Sequence, residues 1–187
     1  YGLMKELSLN VLDIAQNSIS AGATLITIET MEDGAADRLY INLLDNGKGM
    51  TAEQVAHVTD PFYTTRTTRK VGLGVPLFKM AAEMAGGDFA IQSEVGKGTA
   101  VRASFQLSNV DRKPLGDMED PVAMLIHMNP GLDFVYRRGK DGREFVLDTR
   151  ELRQILGDVP LNEPDVAEWI KGYLSEQLAG LQQDQAL

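Results

Sequence analysis

Residues 7–19 read Leu-Ser-Leu-Asn-Val-Leu-Asp-Ile-Ala-Gln-Asn-Ser-Ile, with apolar side chains at helical spacing. Asp13 and Asn17 stand four apart in this run and share one helix face. Gly22 closes the helix, and Leu25 to Glu29 alternates as a strand does. A polar turn over 32–37 leads to a second strand over 38–44, and the two are expected to pair as a hairpin. Asp45-Asn46-Gly47-Lys48-Gly49-Met50 interrupts the pattern, and Thr51, followed by Glu53 and Gln54, marks a helix start. Residues 60–74 have no regular apolar period and read as a mobile loop carrying Arg66, Arg69 and Lys70. From Pro76 a further helix is expected, with Leu77, Met80, Ala81 and Met84 as its buried face and Gly86-Gly87 at its end. Phe89 to Ser93 and Thr99 to Phe105 read as two strands joined by residues 94–98.

The pattern breaks near 108–116, around Pro114, which suggests a domain over 1–108 and an extension over 109–187. In the extension a helix is expected over 121–128. A hairpin follows, 132–138 and 143–147, turned by Gly139-Lys140-Asp141-Gly142. Helices are expected over 150–156 and 165–181, with a frayed end at 182–187. The hairpin could extend the first sheet or build a small lobe, and the pattern leaves both open. No chemical motif stands out in this tail.

Composition narrows the function classes. The 187 residues, 43% hydrophobic, suffice for one substantial core or a core with a small appendage. Cysteine is absent, which excludes disulfides, thiolate metal sites and cysteine nucleophiles. The two histidines, His57 and His127, lie far apart, which argues against a histidine-built zinc site. A net charge of −9 disfavours duplex DNA and acidic membranes as partners. No apolar run approaches the ~18 residues of a membrane span, and no secretory leader is visible behind Tyr1. The expectation is a soluble, acidic, cytoplasmic protein with no nucleic-acid or membrane partner.

Four short motifs carry chemistry. An Asn amide oxygen such as that of Asn17 is a hard neutral ligand suited to magnesium, although alone it also reads as a solvated helix residue or a cap. In Asp45-x-Gly47-x-Gly49 the carboxylate can accept from an exocyclic amino group, and the glycines let backbone approach a flat base. Taken alone this is also a common turn. Gly72-Leu73-Gly74 directly before a helix offers exposed amides to phosphate. In Gly96-Lys97-Gly98-Thr99 the hydroxyl can donate and accept at a purine edge, or simply close a glycine hairpin.

In this order and spacing the motifs resemble the GHKL superfamily of ATPases and kinases, which includes histidine kinases, gyrase-type topoisomerases, Hsp90 and MutL. The N-box is matched by residues 12–23, the G1 box by 45–50, and the F-box of histidine kinases by Asp60-Pro61-Phe62-Tyr63-Thr64-Thr65. The G2 box is matched by 72–79 and the segment before the last strands by 93–99. The resemblance covers about residues 5–107. It implies a two-layer α/β sandwich of the Bergerat type, helices on one face of a mixed, largely antiparallel sheet, with ATP or ADP and Mg2+ as ligands.

Residue by residue, the resemblance implies that Asn17 holds magnesium against the triphosphate. Asp45 would bind the adenine amino group with Thr99 nearby, and Gly47 and Gly49 would shape the adenine wall. Gly72 and Gly74 would approach the phosphates, with Met50, Phe62, Leu73 and Val75 also along the nucleotide. Residues 62–74 would form a short lid, with Arg66, Arg69 and Lys70 as phosphate contacts or as solvated charges.

Hydrolytic relatives usually carry Glu four residues before the Asn. Here Asp13 stands there, either as general base or as a residue that orients Asn17 or a magnesium-bound water. The dimerising hairpin with a phosphorylated His that precedes this domain in sensor kinases has no match before the N-box helix, and His57 and His127 read as structural or solvated. The implied function is a stand-alone histidine kinase-like protein that phosphorylates or signals to a partner protein. An ATP-dependent switch and a MutL-like ATPase are the alternatives.

Overall fold

The computed structural model describes residues 6–62 and 73–183. The chain opens with α1 (Leu7–Ser20), whose Leu7, Val11, Ile14 and Ala15 turn inward as the periodicity requires. Its first orphan amides are satisfied from a distance. The N–H groups of Leu7 and Ser8 donate to the Pro114 and Leu115 carbonyls, each at 2.9 Å. β1 (Leu25–Asp33) and β2 (Arg38–Asp45) form the expected antiparallel hairpin, in register from Ile26↔Asp45 to Asp33↔Arg38. α2 (Ala52–Val58) starts at a capping box, Thr51 and Gln54 each bonding to the other's backbone amide. Then come α3 (Gly74–Met84), β3 (Phe89–Glu94) and β4 (Gly98–Gln106). Beyond residue 109 lie α4 (Glu119–Met128), β5 (Asp133–Lys140), β6 (Arg143–Asp148), α5 (Thr149–Leu156) and α6 (Pro164–Gln182).

The strands form one six-stranded sheet in the order β3-β4-β2-β1-β5-β6. All neighbours are antiparallel except β1 and β5, which run parallel from Leu25↔Asp133 to Glu32↔Lys140. The tail hairpin therefore extends the first sheet. Its turn is tighter than the glycines suggested: Gly139 and Lys140 belong to β5, and only Asp141 and Gly142 turn, with φ of 52° and 84°. Two residues at positive φ are what a type I′ hairpin requires.

Period-2 alternation gives the sheet one apolar face, lined by Ile26, Ile28, Leu39, Ile41, Val101, Phe105, Phe134, Tyr136 and Leu147. Side chains of α1, α3, α4 and α6 join it in one continuous core that spans residue 109. This is a two-layer α/β sandwich. The opposite face is polar, as an antiparallel sheet open on one side permits. There Arg137 donates to Glu29 and Glu144, both at 2.8 Å, and Asn42 donates to Glu29 at 3.2 Å. Inside, Glu119 at the start of α4 accepts from Tyr136 Oη at 2.7 Å and Arg138 Nη1 at 2.6 Å. Burial first, then the Glu119 carboxylate, pushes the Tyr136 hydroxyl far above its usual range.

One expected face is corrected. Leu77, Met80 and Met84 of α3 are exposed, at 38%, 47% and 59%, whereas Val75, Phe78, Ala81, Ala82 and Ala85 are buried. The helix is apolar on nearly every side, so periodicity alone could not choose. The small alanines let its axis approach the sheet, and Phe78 packs on Phe105 with ring centroids 5.6 Å apart.

Candidate functional site

Register brings three of the motifs to one end of the sheet. Asp45 ends β2 directly opposite Thr99, and Thr99 lies opposite Ser93 on β3. Ser18, on the buried side of α1, donates to Asp45 Oδ2 at 2.6 Å. The Gly47 amide donates to Oδ1 at 2.8 Å. Each carboxylate oxygen thus takes one donor and keeps lone-pair capacity for another, which fits an exocyclic amino group. Ser93 Oγ accepts from the Met50 amide at 2.8 Å, donates to the Gly98 carbonyl at 3.0 Å and lies 2.8 Å from Thr99 Oγ1. With Ser93's proton on that carbonyl, the Thr99 hydroxyl donates to Ser93 and keeps acceptor capacity.

The 45–50 loop is pressed between α1 and the β3–β4 turn. Lys48 N donates to the Ala21 carbonyl at 2.9 Å, and Gly96 N donates to the Lys48 carbonyl at 2.7 Å. Gly49 has φ 71°, and a Cβ there would run into the Glu94 carbonyl oxygen. A Cβ on Gly98, at φ 133°, would strike the Asp45 carbonyl. These two positions require glycine for conformation and for space together. Asn46 faces the other way: its Oδ1 accepts from the Thr24 and Leu25 amides at 2.8 and 3.0 Å, and its Nδ2 donates to Thr24 Oγ1 at 2.8 Å.

Asp13 and Asn17 lie one turn apart on α1, Asp13 exposed and Asn17 half-buried. Among the described residues the Asn17 side chain has no hydrogen-bond partner, so its amide oxygen is available to a ligand. The start of α3 packs against this stretch, and a Cβ on Gly74 would lie 2.8 Å from the Asp13 Cβ. α3 has no side-chain N-cap and no acidic residue in its first turn. Its leading amides therefore offer partial positive charge beside Asp13. A hard oxygen ligand, a carboxylate and a helix N-terminus share one edge of α1, a donor set that fits a magnesium-bound triphosphate.

Other expected residues differ in what they can offer. Val75 is 3% exposed and packs into the core, so it has only backbone to present. Leu73 is exposed, and so is Phe62, whose amide donates to Asp60 Oδ1 at 2.9 Å. Arg66, Arg69, Lys70 and Gly72, with most of the expected lid, lie outside the described residues. His57 is half-buried at the end of α2, and His127 is exposed at the end of α4.

Sequence reasoning passed over Ser18, Ser93 and Asn46. A signal was present for the first two. Ser18 continues the apolar stripe of Val11 and Ile14, and Ser93 alternates with Phe89 and Ile91. A polar residue at a core-facing position is in most cases hydrogen-bonded.

Residues 1–109 match the family model described as histidine kinase-, DNA gyrase B- and HSP90-like ATPase. Sporulation kinase D of Bacillus subtilis (strain 168) is 34% identical over 106 residues, covering 56% of this chain and 20% of that protein. The sensor protein SrrB of Staphylococcus aureus (strain NCTC 8325 / PS 47) is 38% identical over 101 residues, covering 51% of this chain and 17% of that protein. The chain thus spans a fifth or less of the length of these two relatives. A solved structure of the N-terminal domain of a DNA repair protein superposes with a TM-score of 0.52 at 16% identity, covering 76% of this chain and 52% of that one. At that identity the likeness is one of fold.

Proposed function

Because the chain belongs to the family of histidine kinase-, DNA gyrase B- and HSP90-like ATPases, we propose that it binds ATP with magnesium and uses it to phosphorylate or signal to a partner protein. The observation that carries this reading is the convergence of Ser18, Asp45, Thr99 and Ser93 at one sheet end, with Asn17 one helix position from Ser18. In this reading Asp45 and Thr99 read the adenine edge, Gly47 and Gly49 form its wall, and Asn17 holds magnesium. Magnesium held there would supply positive charge that offsets the charge developing in phosphoryl transfer. The protein's own share is positioning. The leading amides of α3 and Gly74 take phosphate oxygens, joined by Gly72 and the cations Arg66, Arg69 and Lys70.

Asp13 lies beside the start of α3, where a general base or a water-orienting carboxylate would act. In the base reading, Asp13→Asn abolishes turnover and spares nucleotide binding. Unchanged ATP consumption removes Asp13 from that role.

The partner would meet the exposed apolar stripe of Leu73, Leu77, Met80 and Met84, which continues from the phosphate-binding segment. The site of action is the cytoplasm. Among the described residues no helix is long and apolar enough to cross a membrane. Incubation with γ-labelled ATP, following label on this chain, on a partner and as free phosphate, separates self-phosphorylation, transfer and hydrolysis. Stoichiometric nucleotide binding with label in none of the three supports a second reading, an ATP-dependent switch. That reading draws on the way residues 133–148 continue the same sheet and would relay its state. A MutL-like ATPase shares the fold, but a net charge of −9 weighs against a DNA partner.

A further inference from the structure

The loop that ends in the adenine wall is tied to the C-terminal extension through Thr24 and its neighbour Leu25, which also bonds to Asn46 and lies opposite Asp133. On one side, the Thr24 amide and hydroxyl are both held by the Asn46 side chain, each at 2.8 Å, and Asn46 lies between Asp45 and Gly47. On the other side, the Thr24 carbonyl accepts from the Asp133 amide at 2.8 Å, the point where β5 begins its parallel run along β1.

Asp133 is itself fixed by two donors on Oδ1, Thr149 Oγ1 at 2.9 Å and Arg153 Nε at 2.8 Å. Thr149 is fully buried, and its hydroxyl also accepts from the Phe134 amide at 2.8 Å. Arg153 spends Nη2 on the Pro130 and Leu132 carbonyls, both at 2.7 Å. An Arg used on three acceptors at once, beside a buried hydroxyl used as donor and acceptor, ties residues 130–134 to α5 at points beyond the strand pairing.

We propose that Asp133, Thr149 and Arg153 are positioning residues of the nucleotide pocket, acting through Thr24 and Asn46 on the segment that presents Asp45. All three lie outside the residues that match the family model, 1–109. The extension would thus supply a brace to the adenine end that the matched segment does not contain. The inference rests on the reading of Asp45 as the adenine-amino acceptor. Its physical basis is that recognition of one amino group by one carboxylate depends on placement to within a fraction of an ångström.

The test compares the wild-type chain with Arg153→Met, Thr149→Val and Leu174→Ala, each at a temperature where circular dichroism shows it folded. Leu174 is fully buried on α6 and takes no part in the hydrogen bonds from Asn46 to Arg153, so its variant reports general loosening. Two quantities are read: amide exchange over residues 45–49, and the ratio of ADP to inosine diphosphate affinity with magnesium. Inosine carries a carbonyl in place of the amino group. Arg153→Met and Thr149→Val are expected to speed exchange in that segment and to lower the ratio at least threefold, while Leu174→Ala leaves both near wild type. Unchanged exchange and ratio in the first two variants, or equal changes in Leu174→Ala, would overturn the brace. Should Arg153→Met not fold, Thr149→Val decides alone. Equal affinity of the wild type for both nucleotides would instead remove the adenine role of Asp45, and the exchange comparison would still judge the brace.

Discussion

Ser18 Oγ donates to Asp45 Oδ2 across 2.6 Å, so the helix residue next to Asn17 orients the carboxylate at the end of β2. The helix that carries Asn17, the proposed magnesium ligand, is thereby joined to Asp45, the proposed adenine acceptor, by one short hydrogen bond. Hydrogen bonds to a charged group contribute roughly 1.5–3 kcal/mol. Ser18→Ala should lower stability by about 1.5–3 kcal/mol and, in the folded variant, weaken ADP binding about tenfold, because the carboxylate is no longer oriented. Titration calorimetry beside a thermal melt reads both effects.

Gly49 is where conformation and space coincide. Gly49→Ala places a side chain at φ 71° and against the Glu94 carbonyl. The backbone conformation alone costs about 1–3 kcal/mol, and the clash forces the 45–50 loop away from the β3–β4 turn. Nucleotide affinity should drop by more than tenfold. Gly96→Ala serves as contrast: φ there is 82°, but no atom lies within 4 Å of the added Cβ. It should lose stability and keep affinity.

Residues 1–109, cut from the rest, should not fold as an isolated domain. Without β5, strand β1 loses its pairing from Leu25 to Glu32 and becomes an open edge. The core also loses Met118, Val122, Leu125 and Ile126, all 2% exposed or less. Dye binding and a broad, non-cooperative melt are the expected outcomes. A sharp melt matching the full chain would contradict the continuity of the core.

Glu119 and Arg138 form an ion pair with side chains 8% and 11% exposed. Removing one partner strands a charge, so Arg138→Met should cost about 3–5 kcal/mol. Replacing the cluster together, Glu119→Leu with Arg138→Met and Tyr136→Phe, should recover most of that loss, because no buried polar group is then left unpaired. Chemical denaturation of the two variants makes the comparison.

Much of this was readable from residues alone, for reasons that differ by element. Strands β1 to β4 announce themselves because each has one wet and one dry face, and their hairpins are local. The Asp45–Thr99 opposition follows once those strands are in register. The buried side of α3 was not readable: in Gly-Val-Pro-Leu-Phe-Lys-Met-Ala-Ala-Glu-Met only Lys79 and Glu83 are polar, so two apolar faces compete and the sheet chooses the smaller side chains. The β1–β5 pairing joins strands about 100 residues apart with no turn to signal it. Ser18 and Ser93 were masked by their smallness, since a serine on an apolar stripe passes for a tolerated neutral residue until its partner is seen.

The most direct test of the central claim is equilibrium binding of ADP with magnesium to the full chain and to Asp45→Asn. The wild type should bind one nucleotide per chain, and Asp45→Asn should bind at least tenfold more weakly while melting as a folded protein. No binding by the wild type, or equal affinity in the folded variant, would contradict the assignment of this sheet end as a nucleotide site.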